Sequence, residues 1–202
     1  MYLMTRRTAA LALCLVANVC MAQAASPTLR LRGTVQSVTA STLTVQVRGG
    51  EVVALALPAN LVVSEVYPIA LADIQPGSFI GTAALPQADG TERAIAVTVF
   101  PESARGVGEG HRPFDLQPQS TMTNATVADV LASPTGRTLQ LKYKDGARAI
   151  VVPTDAPIVT FRPGDRSLLV AGASVSLSAQ ERDGQPTVTR INAGRNGFQL
   201  PY

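Results

Sequence analysis

The chain has one histidine, His111, in the stretch Gly108-Glu109-Gly110-His111-Arg112-Pro113-Phe114-Asp115, with a carboxylate on either side of it. An imidazole and two carboxylates can hold a divalent cation with water completing the shell, so His111, Glu109 and Asp115 form a candidate metal site, and Glu102 could fold back as a further ligand. The spacing matches no established ligand pattern, and there is no second histidine. An ion pair of Arg112 with Glu109 or Asp115 accounts for the same charges. A lone histidine among glycines also reads as a solvated or hydrogen-bonded loop residue. Long irregular connections on a rigid scaffold often carry recognition, which makes Glu109, His111, Arg112 and Phe114 the candidates for contact with a partner.

Other chemistries find less support. Gly106, Gly108 and Gly110 suggest a dinucleotide fingerprint only superficially, because Arg112-Pro113 denies the helix that must follow it. These glycines read better as places where the backbone turns sharply. His111, Asp115 and Ser120 supply the residue types of a nucleophilic triad, but there is no G-x-S-x-G elbow or oxyanion loop, and the chain reads as a non-enzyme. Asp89-Gly90, Asp145-Gly146 and Asp183-Gly184 lack the alternating acidic ligands of a calcium loop and are hairpin turns. Nucleic-acid binding calls for aromatic platforms beside basic side chains. Here Lys142 and Lys144 form a basic doublet on one strand face, there is no tryptophan, and Phe79, Phe100, Tyr143 and Phe161 read as core.

These residues sit between two stretches of strand-like sequence. Leu29, Leu31, Gly33 and Val35 alternate with Arg30, Arg32, Thr34 and Gln36, and a period of two means strand. Leu43, Val45 and Val47 form a second strand, Gly49-Gly50 a hairpin, and Val53, Leu55 and Leu57 a third strand ending at Pro58. Asn60 to Pro68 is less regular. Leu71-Ala72-Asp73-Ile74 reads as one helical turn, and strands Phe79 to Leu85 and Ala94 to Val99 join across Asp89-Gly90. The second half repeats these landmarks: Pro58 answers to Pro153, Gly77 to Gly172, and Asp89-Gly90 to Asp183-Gly184, at offsets of 95, 95 and 94. Each unit of about seventy residues is marginal alone, so the two are expected to pack together. The expectation is two tandem OB-like small β-barrels, residues 25–100 and 125–202, joined by a linker over 101–124; a two-sheet sandwich is the alternative.

Composition agrees with a folded, exported protein. With 46% hydrophobic and 15% charged residues, the 202-residue chain falls in the globular range. Arg6-Arg7, an apolar run through Leu11 to Val19, and Ala22-Gln23-Ala24 have the three parts of a signal peptide over residues 1–24. The arginine pair also permits twin-arginine export. The apolar run is shorter than the ~20 residues a spanning helix needs. Cleavage would remove both cysteines, and with them disulfide and thiolate chemistry. It would also take two of the 17 basic residues, leaving 15 against 14 acidic. The mature chain is therefore expected to have no electrostatic footprint for nucleic acid or anionic lipid and no transmembrane segment, and its expected location is periplasmic or secreted.

Taken together, Gly33-Thr34-Val35, the run Leu71 to Ser78, the run Ala84 to Gly90, Gly108 to Pro113, Thr121 to Asn124 and Pro163-Gly164-Asp165 resemble an uncharacterised family of bacterial secreted proteins. The resemblance implies a secreted β-barrel module and carries no established activity. The functional expectation is a non-catalytic binding or accessory module of the cell envelope that recognises a partner protein or an envelope component and has no cofactor. A periplasmic protein holding a divalent metal through His111 and its neighbouring carboxylates is the alternative.

Overall fold

The computed structural model describes residues 27–133 and 136–202; the expected signal peptide lies outside them. Thirteen strands follow one another: β1 Thr28–Val38, β2 Thr42–Val47, β3 Val52–Ala56, β4 Val62–Pro68, β5 Phe79–Pro86, β6 Glu92–Val99, β7 Gly110–Pro113, β8 Thr121–Ser133, β9 Gly136–Tyr143, β10 Gly146–Pro153, β11 Ile158–Pro163, β12 Ser174–Arg182 and β13 Gln185–Gly194. Among the described residues the only helical segments are the 3-10 turns Leu71–Asp73, Glu102–Ala104 and Arg166–Leu168. The chain is all-β, as its alternating sequence requires. No helix among the described residues is long and apolar enough to cross a membrane.

The strands follow from local chemistry. β2 buries Leu43 and Val45 and leaves Gln46 exposed between its apolar neighbours, and β9 likewise buries Leu139 and Leu141. Asp183 and Gly184 both take positive φ, 51° and 76°, the conformation of the tight hairpin between β12 and β13. Gly33 marks the bend of β1, where the strand leaves β12 and pairs onward with β2. A Cβ at Gly33 would lie 2.1 Å from the Gln46 carbonyl oxygen, so only glycine permits that approach.

The strands form one continuous sheet that closes on itself twice. β1 pairs with β2 and β12, β2 with β3, and β12 with β13, and a parallel bridge between Thr187 of β13 and Ala56 of β3 completes a five-stranded ring. β8 pairs with β9 and β5, β9 with β10, β5 with β6, and a parallel pairing of β10 with β6 completes a second. Closure leaves few unpaired edges in either ring. Inside the first ring lie Leu43, Leu55, Leu177 and Ile191, with Leu168 and Leu169 from the 3-10 turn before β12. Inside the second lie Ile80, Val97, Leu139 and Ile150, with Ile74 beside the turn before β5.

Each ring takes three strands from one half of the chain and two from the other, so residues 25–100 and 125–202 do not form separate barrels as expected. The reason is β4, in the stretch read as less regular. It pairs with β13 on one side and β11 on the other, carrying the chain out of the first ring and into the second. β11 does the reverse, pairing with β6 and β4 before the chain enters β12. The two crossing strands run antiparallel with Val66 opposite Phe161. Val66, Val159 and Leu200 are buried there, with Phe161, Phe198 and Tyr202 packed against them. The expected linker is also shorter than 101–124, since β8 begins at Thr121 and residues 110–113 are themselves a strand.

Glu65 fixes the crossing. It is buried on β4, 3% exposed, and its two oxygens accept from Arg162 of β11 and Arg195 beyond β13. Hydrogen bonds from Arg195 and then Arg162 outweigh desolvation and lower its pKa from the ordinary 4.5 to about 2. A carboxylate depressed in this way contributes its full stabilisation above the unfolded-state value and loses it as pH falls toward the folded-state value.

Two outcomes are expected. Residues 27–100 and 101–202, expressed separately, give no cooperative melt, and mixing them restores one; a cooperative melt of either alone contradicts the exchanged rings. Glu65→Gln lowers the unfolding free energy at pH 7 by about 1–3 kcal/mol, because a carboxylate acceptor for two guanidiniums is lost. It also flattens the fall in melting temperature that the unaltered protein shows between pH 4.5 and pH 2.

Candidate functional site

The segment from Pro101 to Ser120 is tied to both rings. Arg105 donates to the Gly77 carbonyl ahead of β5 and pairs with Glu102. Asn124 of β8 donates to the Val107 carbonyl at 2.9 Å, and β7 pairs with β8 from Gly110 to Pro113. Asp115 accepts two hydrogen bonds from Arg32 of β1, at 3.1 and 2.7 Å, and the same guanidinium lies 5.1 Å from the centre of the Phe114 ring. Arg32 holds the Asp115 carboxyl below the usual aspartate range. The turn after Phe114 closes on buried Ser120, whose hydroxyl lies 2.8 Å from the Phe114 carbonyl. Gly106, Gly108 and Gly110 all have positive φ, so the run of glycines serves the turns of this segment.

The structure does not bring His111, Glu109 and Asp115 together. His111 Nδ1 lies 2.9 Å from the buried Thr123 hydroxyl, and its Nε2 lies 3.7 Å from Glu92 of β6. Glu109 accepts the Lys144 backbone N–H between β9 and β10, Asp115 is held by Arg32, and Glu102 by Arg105. Among the described residues no group of three or more histidine, cysteine or acidic side chains converges on a point where a metal ion could sit. Glu92, which the sequence did not single out, is 6% exposed and accepts from the Thr121 hydroxyl at 3.0 Å, with Arg148 3.5 Å away. His111 and Glu92 thus fasten β7 over the second ring.

Arg112 and Phe114 face elsewhere. Both line a cleft of about 330 Å³ between the rings, and Glu109 and His111 do not. One wall is the outer face of the first ring, where the strand register places Arg30 of β1 opposite Ser178 of β12, and Ser178 opposite Arg190 of β13. The next row on that face is Arg32, Ser176 and Asn192. The small serines keep the middle of this wall low between the arginines. The second ring contributes Gly81, Thr98, Met122 and Asn124. A Cβ at Gly81 would lie 2.8 Å from Asn124 Oδ1, so the missing side chain gives that amide its space. Thr98 donates to the Tyr202 hydroxyl at 3.1 Å, and burial raises the pKa of that phenol.

No family model matches the chain, and comparison with curated proteins and with solved structures finds no significant match. Sequence alternation had placed Arg30 and Arg32 on the polar face of β1. Nothing in the sequence paired that face with Arg190, which lies 160 residues further along and is brought beside it by β12.

His111→Ala is expected to lower the unfolding free energy by about 1–2 kcal/mol in urea titration, through the lost hydrogen bond to Thr123 and the lost contact with Glu92. Calorimetric titration with zinc, copper or nickel is expected to give the same trace for this variant and the unaltered protein. Tighter zinc binding by the unaltered chain would contradict the partners assigned to His111.

Proposed function

We propose that this protein is an exported, non-catalytic binding module that holds a partner protein or an envelope component in the cleft between its two rings. The single observation that carries the reading is the placement of the 101–120 segment. The segment between β6 and β8 is clamped to both rings beside a concave surface, and it presents Arg112 and Phe114 to that surface. Binding sites are characteristically concave and lie between rigid units. Export rests on the Arg6-Arg7 pair, the apolar run and Ala22-Gln23-Ala24.

The rings themselves are read as OB-like barrels derived from one module written twice. Each has a three-strand meander, a parallel closure and an antiparallel hairpin preceded by a 3-10 turn. At the crossing, Val66 lies opposite Phe161, and 161 − 66 = 95 is the offset that separates Pro58 from Pro153. The two copies would then have exchanged their hairpins within one chain. Such a frame presents a cleft with one wall from each barrel, which suits capture of a ligand better than chemistry upon it.

The test is capture of solubilised envelope material on the immobilised mature chain. The double variant Arg112→Ala, Phe114→Ala is expected to lose at least about nine-tenths of the captured material, as removal of central contacts does, with its melting temperature within ~4 °C of the unaltered protein. Lys142→Ala, on a strand away from the cleft, serves as the control and keeps full capture. Undiminished capture by the double variant overturns the assignment of the cleft.

A further inference from the structure

The cleft is basic well beyond the near-neutral balance of the mature chain. Arg30, Arg32, Arg112 and Arg190 line it, and no Asp or Glu does. Arg32 is neutralised by Asp115. Among the described residues no carboxylate lies within ion-pair distance of Arg30, Arg112 or Arg190. Burial, and then the positive charge of Arg30, lower the pKa of Arg112. Like charges drawn together in a partly dehydrated cleft repel one another unless an anion lies between them.

One further atom points the same way. Arg32 Nε, on a guanidinium that lines the cleft, is buried without a hydrogen-bond partner. Buried polar atoms of this kind are uncommon and call for a partner.

The cleft also has an apolar extension. Beyond Phe100, Val107 and Phe161, which it shares, a second hollow of about 400 Å³ runs beneath Pro101 and Ala104 toward Val62 and Val63. Val62 and Val107 are 58% and 49% exposed, large apolar side chains on an open surface. Arg190 borders both hollows. One end of a continuous groove is thus cationic with hydroxyl and amide groups, and the other is mainly apolar, with Arg162, paired with Glu65, and the serines Ser64 and Ser103 on its border.

We propose that this groove binds an amphiphilic phosphate monoester, with its head among Arg30, Arg112 and Arg190 above Ser178 and its apolar arm along Phe100, Phe161 and Val62. Three guanidiniums without carboxylates match a dianionic head better than a single carboxylate, and guanidinium geometry suits phosphate oxygens. The hydroxyl of Ser178 can donate a hydrogen bond to the bound head. The proposal rests on the binding-module reading and names the chemistry of what that module holds.

Calorimetric titration of the whole mature protein with decyl phosphate tests it. One equivalent is expected to bind, and decanoate at least about tenfold more weakly, because it presents one charge fewer to the arginines. Octyl phosphate is expected to bind about tenfold more weakly, from the loss of two buried methylenes. Decanol and inorganic phosphate, each carrying half of the recognition, bind more weakly still. Arg30→Gln with Arg190→Gln is expected to cost about a hundredfold for decyl phosphate, whereas Arg182→Gln, on β12 outside the groove, changes nothing. Ala104→Trp, which fills the apolar end, is expected to weaken decyl phosphate and leave inorganic phosphate unaltered.

Failure of decyl phosphate to bind, or binding indifferent to the Arg30 and Arg190 substitutions, overturns the proposal. So does displacement of decyl phosphate by a glutamate-rich decapeptide of higher affinity, which would assign the groove to an acidic protein segment. If decyl phosphate fails while the Arg112 and Phe114 variant still loses envelope capture, the ligand class alone falls. If capture is unaffected as well, the cleft itself is wrongly assigned.

Discussion

The antiparallel crossing of β4 and β11 is the constraint on which the rest of this molecule depends. Each strand lies between a strand of one ring and its counterpart in the crossing, so neither belongs to a single barrel wall. Because the chain changes rings at that point, β1 meets β12 and β5 meets β8, and the walls of the cleft face each other. The buried Glu65 carboxylate makes the crossing specific, since it needs Arg162 and Arg195, which come from a different crossing strand and from beyond β13. A slipped register would leave that charge buried without its partners, and an unpaired buried charge is among the most expensive errors a fold can make.

The 101–120 segment depends on the same geometry. Its ties are shared between the rings: Arg32 holds Asp115 from the first, and Asn124, Glu92 and Lys144 hold Val107, His111 and Glu109 from the second. With these residues occupied in fastening, Arg112 and Phe114 are left to face the cleft. The histidine that drew attention in the sequence is thus part of the anchor and lies outside the lining of the cleft.

Much of the strand pattern was legible in the sequence because it obeys the period of two. β1, β2 and β3 follow the alternation, β5 and β6 are runs joined across Asp89-Gly90, and the Asp-Gly pairs fall in hairpin turns as their chemistry dictates. β4 escaped notice because Glu65, itself buried and lying in sequence between the buried Val63 and Val66, reads as a break in an apolar pattern until its distant arginines are known. The partition into rings was illegible for a related reason. The meander of one half is equally compatible in pattern with the hairpin of either half, and only the path of the crossing strands decides between them. The cleft was half legible: Arg30 and Arg32 stood on a polar face, but their company with Arg190 and Arg112 is a product of long-range pairing.

The pairing of Thr28 with Gln180 joins residues 152 positions apart. Contacts so remote in sequence carry a large entropic cost of closure and slow the search for the native topology. While the chain is being made, the three-stranded meander of β1 to β3 has open flanks until residues near the C-terminus arrive. In that interval a neighbouring molecule's β12–β13 hairpin offers the same hydrogen-bonding edge as the chain's own. Crowded synthesis would therefore favour interlocked dimers, and dilution during refolding would favour the monomer.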